Sequence, residues 1–271
     1  MEDQLTKLVD RVWEKHLQMP PDRRLLIAIG GIPGSGKTTL ATSLTALLNA
    51  RQASSSAHSP SSPSPTSSSP APAPIAAYIP MDGYHLTRAQ LSALPDPATA
   101  HARRGAEFTF DGAAFLSLVK RLRAVSPQPR DRPRSAAEVI IPEADGSGGE
   151  IIYAPSFDHS IKDPVENSIP ILPPPAHRIV VIEGIYVLLD KSPWREAAEM
   201  MDLRVFVRVD GETARRRLVR RHLAAGIAAT EEEADKRARE NDLVNGEMIE
   251  RLLLEVDEVV ESREDVGWVH A

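Results

Sequence analysis

Residues 31–38 read Gly-Ile-Pro-Gly-Ser-Gly-Lys-Thr and fit the spacing G-x-x-x-x-G-K-[ST]. This pattern constrains the backbone more than any other stretch of the chain. Glycines at 31, 34 and 36 let the main chain wrap closely around an anion, with successive N–H groups aimed at its oxygens. The loop needs a strand leading in and a helix leading out, because the helix N-terminus carries the positive end of the peptide dipoles. Both are legible. Leu25 to Gly30 is a short apolar run, read as a strand buried on both faces, and a helical pattern runs from Thr39 to about Ala50. Gly31, Ile32, Pro33, Gly34, Ser35, Gly36, Lys37, Thr38 and Thr39 are therefore expected to cradle nucleotide phosphates. Lys37 would reach the β- and γ-phosphates and Thr38 would ligate Mg2+.

Further short apolar runs occur at 75–80, 178–183 and 203–209, with a possible closing strand near 258–260. Between them lie helical patterns at 86–125 (broken by a loop around Arg103 to Asp111), 213–224 and 231–254. Strands alternating with helices predict a parallel α/β sheet. Residues 2–19 form an amphipathic stripe through Leu5, Leu8, Val9, Val12, Trp13, His16 and Leu17, stopped by Pro20 and Pro21. From Gln52 to Pro74 the composition collapses to Ser, Pro and Ala, too poor in apolar surface to offset ordering, and reads as a disordered insertion. Residues 126–150 read as a second surface loop. The 271 residues include no cysteine, which excludes disulfides, thiolate metal sites and a cysteine nucleophile. A net charge of −6 gives no overall basic field for nucleic acid. No apolar run approaches the roughly 20 residues that span a bilayer, and the acidic N-terminus is unlike a transit peptide. A cytoplasmic protein without nucleic-acid or membrane partners is the expectation.

Ligands of open α/β sheets bind beyond the carboxyl ends of the strands. The second strand runs into Asp82 and the third ends in Glu183. Glu183 follows four apolar residues and would hold a water on Mg2+, or else serve as a buried salt-bridge partner. Asp82 would accept or orient a substrate hydroxyl proton, or else cap the turn before Gly83. Five arginines crowd residues 215–221, with Arg217 and Arg221 one turn apart. Such a helix fits a lid over residues 213–230 that closes on phosphate, or a solvated face paired to Glu231, Glu232 and Glu233.

In this order, GIPGSGKTT, MDGYH, RRGAEFTFD, PSFDH, VVIEG and RRRLVRRH resemble the phosphoribulokinase/uridine kinase family of P-loop kinases, over roughly residues 25–262 and nearest a branch beside bacterial pantothenate kinase. The resemblance implies a three-layer sandwich around a five-stranded parallel sheet with a helical lid, and the chain, 1–271, is read as a single kinase domain. It implies transfer of the ATP γ-phosphate, with Mg2+, to a small-molecule hydroxyl of the nucleoside, sugar or vitamin-precursor class. Lys37, Asp82, Glu183, Arg217 and Arg221 match the family's catalytic positions. His85, Arg104, Phe157 and His159 fall in its acceptor-side segments. Gly83-Tyr84-His85 stands where uridine kinases carry Ser-Phe-Tyr, and the segment around Phe157 also departs from theirs. The alternative from another class is a P-loop ATPase switch acting on a protein partner. Asn241, Asp242 and Asn245 share a helix but carry no assigned role.

Overall fold

The computed structural model describes residues 2–57, 73–124 and 149–263. In chain order these are helix α1 (Glu2–Gln18), strand β1 (Leu25–Gly31), α2 (Lys37–Ala57), β2 (Ala76–Pro80), the short helices α3 (Arg88–Ser92) and α4 (Pro97–Ala102), and α5 (Gly112–Arg123). They continue with β3 (Ile152–Asp158), β4 (Asp163–Ile171), β5 (Ile179–Glu183), α6 (Trp194–Ala198), β6 (Leu203–Arg208), α7 (Gly211–Ala224), α8 (Glu231–Arg237), α9 (Leu243–Arg251) and β7 (Glu258–Glu261).

The five-stranded sheet is wholly parallel, in the order β2-β5-β1-β6-β7. Every residue of β1 is buried, and the alternation of its side chains divides the core into two layers. Leu25, Ile27 and Ile29 face Leu8 and Val12 of α1 and Leu40, Leu44 and Leu48 of α2. Leu26 and Ala28 face Phe115 and Leu122 of α5 and Trp194 of α6. The three-layer sandwich follows from this one strand having no polar side.

Placing β2 at the edge beside β5 makes the carboxyl ends of β1, β5 and β2 neighbours, with Glu183 opposite both Ile29 and Pro80. A polar clasp fixes the edge strand. Ala76 N–H donates to Asn49 Oδ1 (2.8 Å), and Asn49 Nδ2 donates back to the Ala76 carbonyl (3.1 Å).

The structure departs from the sequence reading in three places. Residues 52–57, assigned to the insertion, are the last turns of α2, while 58–72 and the loop expected at 126–150 lie largely outside the described residues. The helix expected across 231–254 is interrupted, because 238–242 form a π-helical turn. Residues 152–171 form an antiparallel hairpin that the sequence hid. Pro155, Pro164 and Pro170 interrupt its alternation, and β4 is largely exposed. Among the described residues no helix is long and apolar enough to cross a membrane.

Asn49→Ala leaves the buried Ala76 N–H and carbonyl without side-chain partners. It is expected to cost about 2 kcal/mol in urea unfolding, and an unchanged midpoint would show that the clasp carries no stability.

Candidate active site

β1 ends at Gly31, the chain turns through 32–36, and α2 starts at Lys37. Gly34 has φ +80°, and a Cβ there would lie 2.8 Å from the Ala214 carbonyl of α7. Only glycine meets both constraints, the left-handed backbone and the close approach. Lys37 is buried, and its Nζ lies 3.9 Å from Glu183 Oε1. The Tyr78 hydroxyl donates to Glu183 Oε2 at 3.0 Å, and the Thr38 side chain adjoins this carboxylate. Burial disfavours both charges. It pushes the Lys37 ammonium down and the Glu183 carboxyl up, and each partly offsets the other.

Asp82 sits on a single 3-10 turn, Met81–Tyr84, directly after β2. Met81 and Tyr84 are buried and anchor the turn, while the Asp82 side chain is 53% exposed. Asp82 acts electrostatically on both Lys37 and Glu183. Gly83 explains the local departure from Ser-Phe-Tyr. A Cβ at that position would lie 2.3 Å from the Pro155 carbonyl, so the hairpin backbone lies directly on the turn.

The hairpin brings the acceptor-side residues together. The His85 ring lies 4.0 Å from the Phe110 ring and 5.0 Å from Phe157, and Phe157 meets His159 edge-on at 5.1 Å. His85 Nδ1 is 2.8 Å from the Asp82 carbonyl, which can only accept, so Nδ1 carries the proton. Burial pushes the His85 pKa down, which leaves a neutral ring with Nε2 as an acceptor. A cavity of about 290 Å3 opens beside the same turn, between α5 and the hairpin. Phe110 is core, packed on Tyr186 and Trp194, whereas Phe108 is 49% exposed.

Two of the arginines also hold the scaffold. The Arg104 guanidinium, on the acceptor side, holds the hairpin. It donates to the Lys162 carbonyl (2.5 Å), the Leu86 carbonyl (3.0 Å) and Asp163 Oδ1 (2.9 Å), and lies over the Phe157 ring. Arg217 Nη1 donates to the Gly34 carbonyl (3.2 Å) and to the Ser262 hydroxyl (2.9 Å). It braces the loop from behind. The first half of α7 packs on the loop, with Ala214 and Leu218 buried against Gly34. Arg215 pairs with Glu212 and Asp235, not with the acids at 231–233. Arg221 remains 58% exposed, 3.9 Å from Asp242 Oδ1, and acts electrostatically on Lys37.

Comparison with known proteins decides the family. No protein-family model matches the sequence. The ATP-dependent kinase-like protein notR' of Aspergillus versicolor is 46% identical over 180 residues, which cover 66% of this chain and 92% of that protein. A uridine kinase-like protein of Schizosaccharomyces pombe is 36% identical over 239 residues, covering 88% of this chain and 83% of that one. The chain belongs to the uridine kinase family of P-loop kinases. The ATP-dependent kinase YFH7 of Saccharomyces cerevisiae is 35% identical over 201 residues, which cover 70% of this chain and 56% of YFH7. Its crystal structure superposes with a TM-score of 0.74 at 24% identity, covering 96% of this chain and 99% of that one, and so shares the fold. As a member of this family the chain is a small-molecule phosphotransferase that uses ATP.

Sequence reasoning missed several residues that brace the candidate site. Asn241 and Asn245, left without a role, accept from Arg103 Nε (2.9 Å) and Nη2 (3.2 Å) and donate to the carbonyls of Arg104 and Gly105. The π turn brings them there and turns the adjoining Asp242 toward His222 of α7, at 3.3 Å. Tyr78 gave no signal, since one hydroxyl in an apolar strand looks like core. Gly34→Ala is expected to cost about 1–2 kcal/mol through the left-handed backbone alone, and to displace α7. A lowered melting temperature together with weakened ATP binding would confirm this, and wild-type values for both would contradict it.

Proposed function

We propose that this kinase transfers the γ-phosphoryl group of Mg-ATP to a hydroxyl of a small metabolite of the nucleoside, sugar or vitamin-precursor class. The supporting observation is the convergence of Lys37, Glu183 and Asp82, from three neighbouring strand ends, into one electrostatically coupled group. The loop Gly31, Ile32, Pro33, Gly34, Ser35, Gly36, Lys37, Thr38 and Thr39 holds the ATP phosphates, with Lys37 against the β- and γ-oxygens. Asp82, exposed beside the loop, faces the acceptor. The acceptor oxygen bonds to the γ-phosphorus as the bond to the β–γ bridging oxygen breaks. Its proton passes to the Asp82 carboxylate, and ADP is the leaving group. Lys37 and Arg221 neutralise charge on the transferring group, while Arg217 keeps the loop carbonyls turned away from the phosphates.

The donor set fits Mg2+. A threonine hydroxyl and a buried carboxylate adjoin at Thr38 and Glu183. Among the described residues no cluster of three or more His, Asp or Glu side chains forms a protein-only cage. That suits a cation bound by one or two protein groups plus substrate phosphates. When bound, Mg2+ neutralises charge on the β- and γ-oxygens. On the acceptor side, His85 Nε2, Phe157 and His159 flank Asp82 and would orient the hydroxylated substrate, with Arg104 fixing the hairpin that carries two of them. Residues beyond Arg221, up to 230, are the part of the Arg-rich region left to close over the site.

Lys37→Ala and Asp82→Asn are each expected to abolish transfer. Lys37→Ala alone is expected to weaken ATP binding, by about 10- to 100-fold for the loss of a charge-assisted contact. Calorimetric titration with ATP and a coupled ADP assay distinguish the two variants, and transfer by Asp82→Asn at the wild-type rate would remove Asp82 from its role.

A further inference from the structure

Glu183 is held by a group outside the family's loop, acid and arginine motifs. Tyr78 lies in the middle of β2, paired with Val181, two residues before the Pro80–Glu183 pair. Two strand residues rise about 6.6 Å, roughly the reach of a tyrosine side chain leaning along its strand. The Tyr78 ring packs against the α1–α2 layer of the core, and its hydroxyl reaches Glu183 Oε2 at 3.0 Å. The other carboxylate oxygen, Oε1, faces Lys37 at 3.9 Å. A phenol at neutral pH gives one directional proton and no charge. It therefore satisfies one oxygen without cancelling the negative charge that Glu183 presents to the site. Burial and the adjoining carboxylate both disfavour ionisation of this phenol.

We propose that Tyr78 is a positioning residue of the phosphoryl-transfer site: its hydroxyl fixes the rotamer of Glu183, so that Oε2 is occupied and Oε1 is presented toward Lys37 and the nucleotide-bound cation. The inference rests on the role given to Glu183 above. Tyr78 touches neither nucleotide nor acceptor. It acts only through the carboxylate, as hydrogen-bonding partners of metal-site ligands do.

Tyr78→Phe keeps the ring and removes only the hydroxyl. The probes are Mn2+ in the presence of ATP, followed by electron paramagnetic resonance, and basal Mg-ATP hydrolysis without an acceptor. The variant is expected to bind Mn2+ in the ATP complex about tenfold more weakly and to raise the half-saturating Mg2+ concentration by a similar factor. Metal-free ATP affinity should stay at the wild-type value and the melting temperature should fall by only a few degrees, as the loss of one buried hydrogen bond requires, whereas a general loss of structure would lower both. Glu183→Gln is made in parallel, and then both changes together. In the Glu183→Gln background the Tyr78 change should add nothing. A crippled Glu183→Gln beside a wild-type Tyr78→Phe would overturn this inference and leave the proposed function standing. So would a Tyr78→Phe defect of equal size in both backgrounds. Wild-type Mn2+ binding and hydrolysis in Glu183→Gln would remove the proposed role of Glu183, and this inference with it.

Discussion

A lysine and a glutamate face each other at 3.9 Å where almost no water reaches them, and the arrangement of the site follows from that pair. Neither charge is stable there alone, since burial pushes Lys37 toward its neutral form and Glu183 toward its protonated form. The pair stands because each offsets part of the other's desolvation, and the Tyr78 hydroxyl supplies a hydrogen bond to the carboxylate, with the Thr38 side chain adjoining it. It is poised to receive a polyanion and its cation, which would give both charges stronger partners. The parallel sheet is what makes the pair possible. With β5 between β1 and β2, one carboxylate at its end is flanked by the phosphate loop on one side and the Asp82 turn on the other.

Most of the sheet was legible because its signals are local. The run LLIAIG has no polar side and must be buried on both faces, and RIVVIE likewise, so a covered parallel sheet was the consistent reading. The strand ends then named Asp82 and Glu183 without knowledge of the strand order. The hairpin at 152–171 was illegible, since prolines break its alternation and much of its surface is solvated. The π turn at 238–242 was invisible for another reason. One extra residue per turn changes the direction of every following side chain but leaves the composition of the helix unaltered.

The arginines show what residue type alone leaves open. Arg217 and Arg221 share a helix face, as their spacing requires, yet they do different things. Arg217 spends its donors on the Gly34 carbonyl and Ser262, because Ala214 and Leu218 hold that part of α7 against the loop. One turn further on, Arg221 has left the packed region and stays largely in solvent, near Asp242. Arg104 likewise holds the hairpin backbone, through the Lys162 and Leu86 carbonyls. Sequence spacing put Arg217 and Arg221 on one helix face. Which carbonyls they meet is set by long-range packing that no local pattern encodes.

The central claim is that the γ-phosphoryl group goes to a small hydroxyl and not to water or to a switch cycle with a protein partner. The most direct measurement is ADP release from Mg-ATP across a panel of nucleosides, sugars, sugar phosphates, glycerate and vitamin precursors, with products followed by 31P NMR. One acceptor class should raise ADP release above the acceptor-free rate and yield an equal amount of its phosphate ester. A flat panel in which only inorganic phosphate accumulates, with hydrolysis accelerated by a protein partner, would contradict the account.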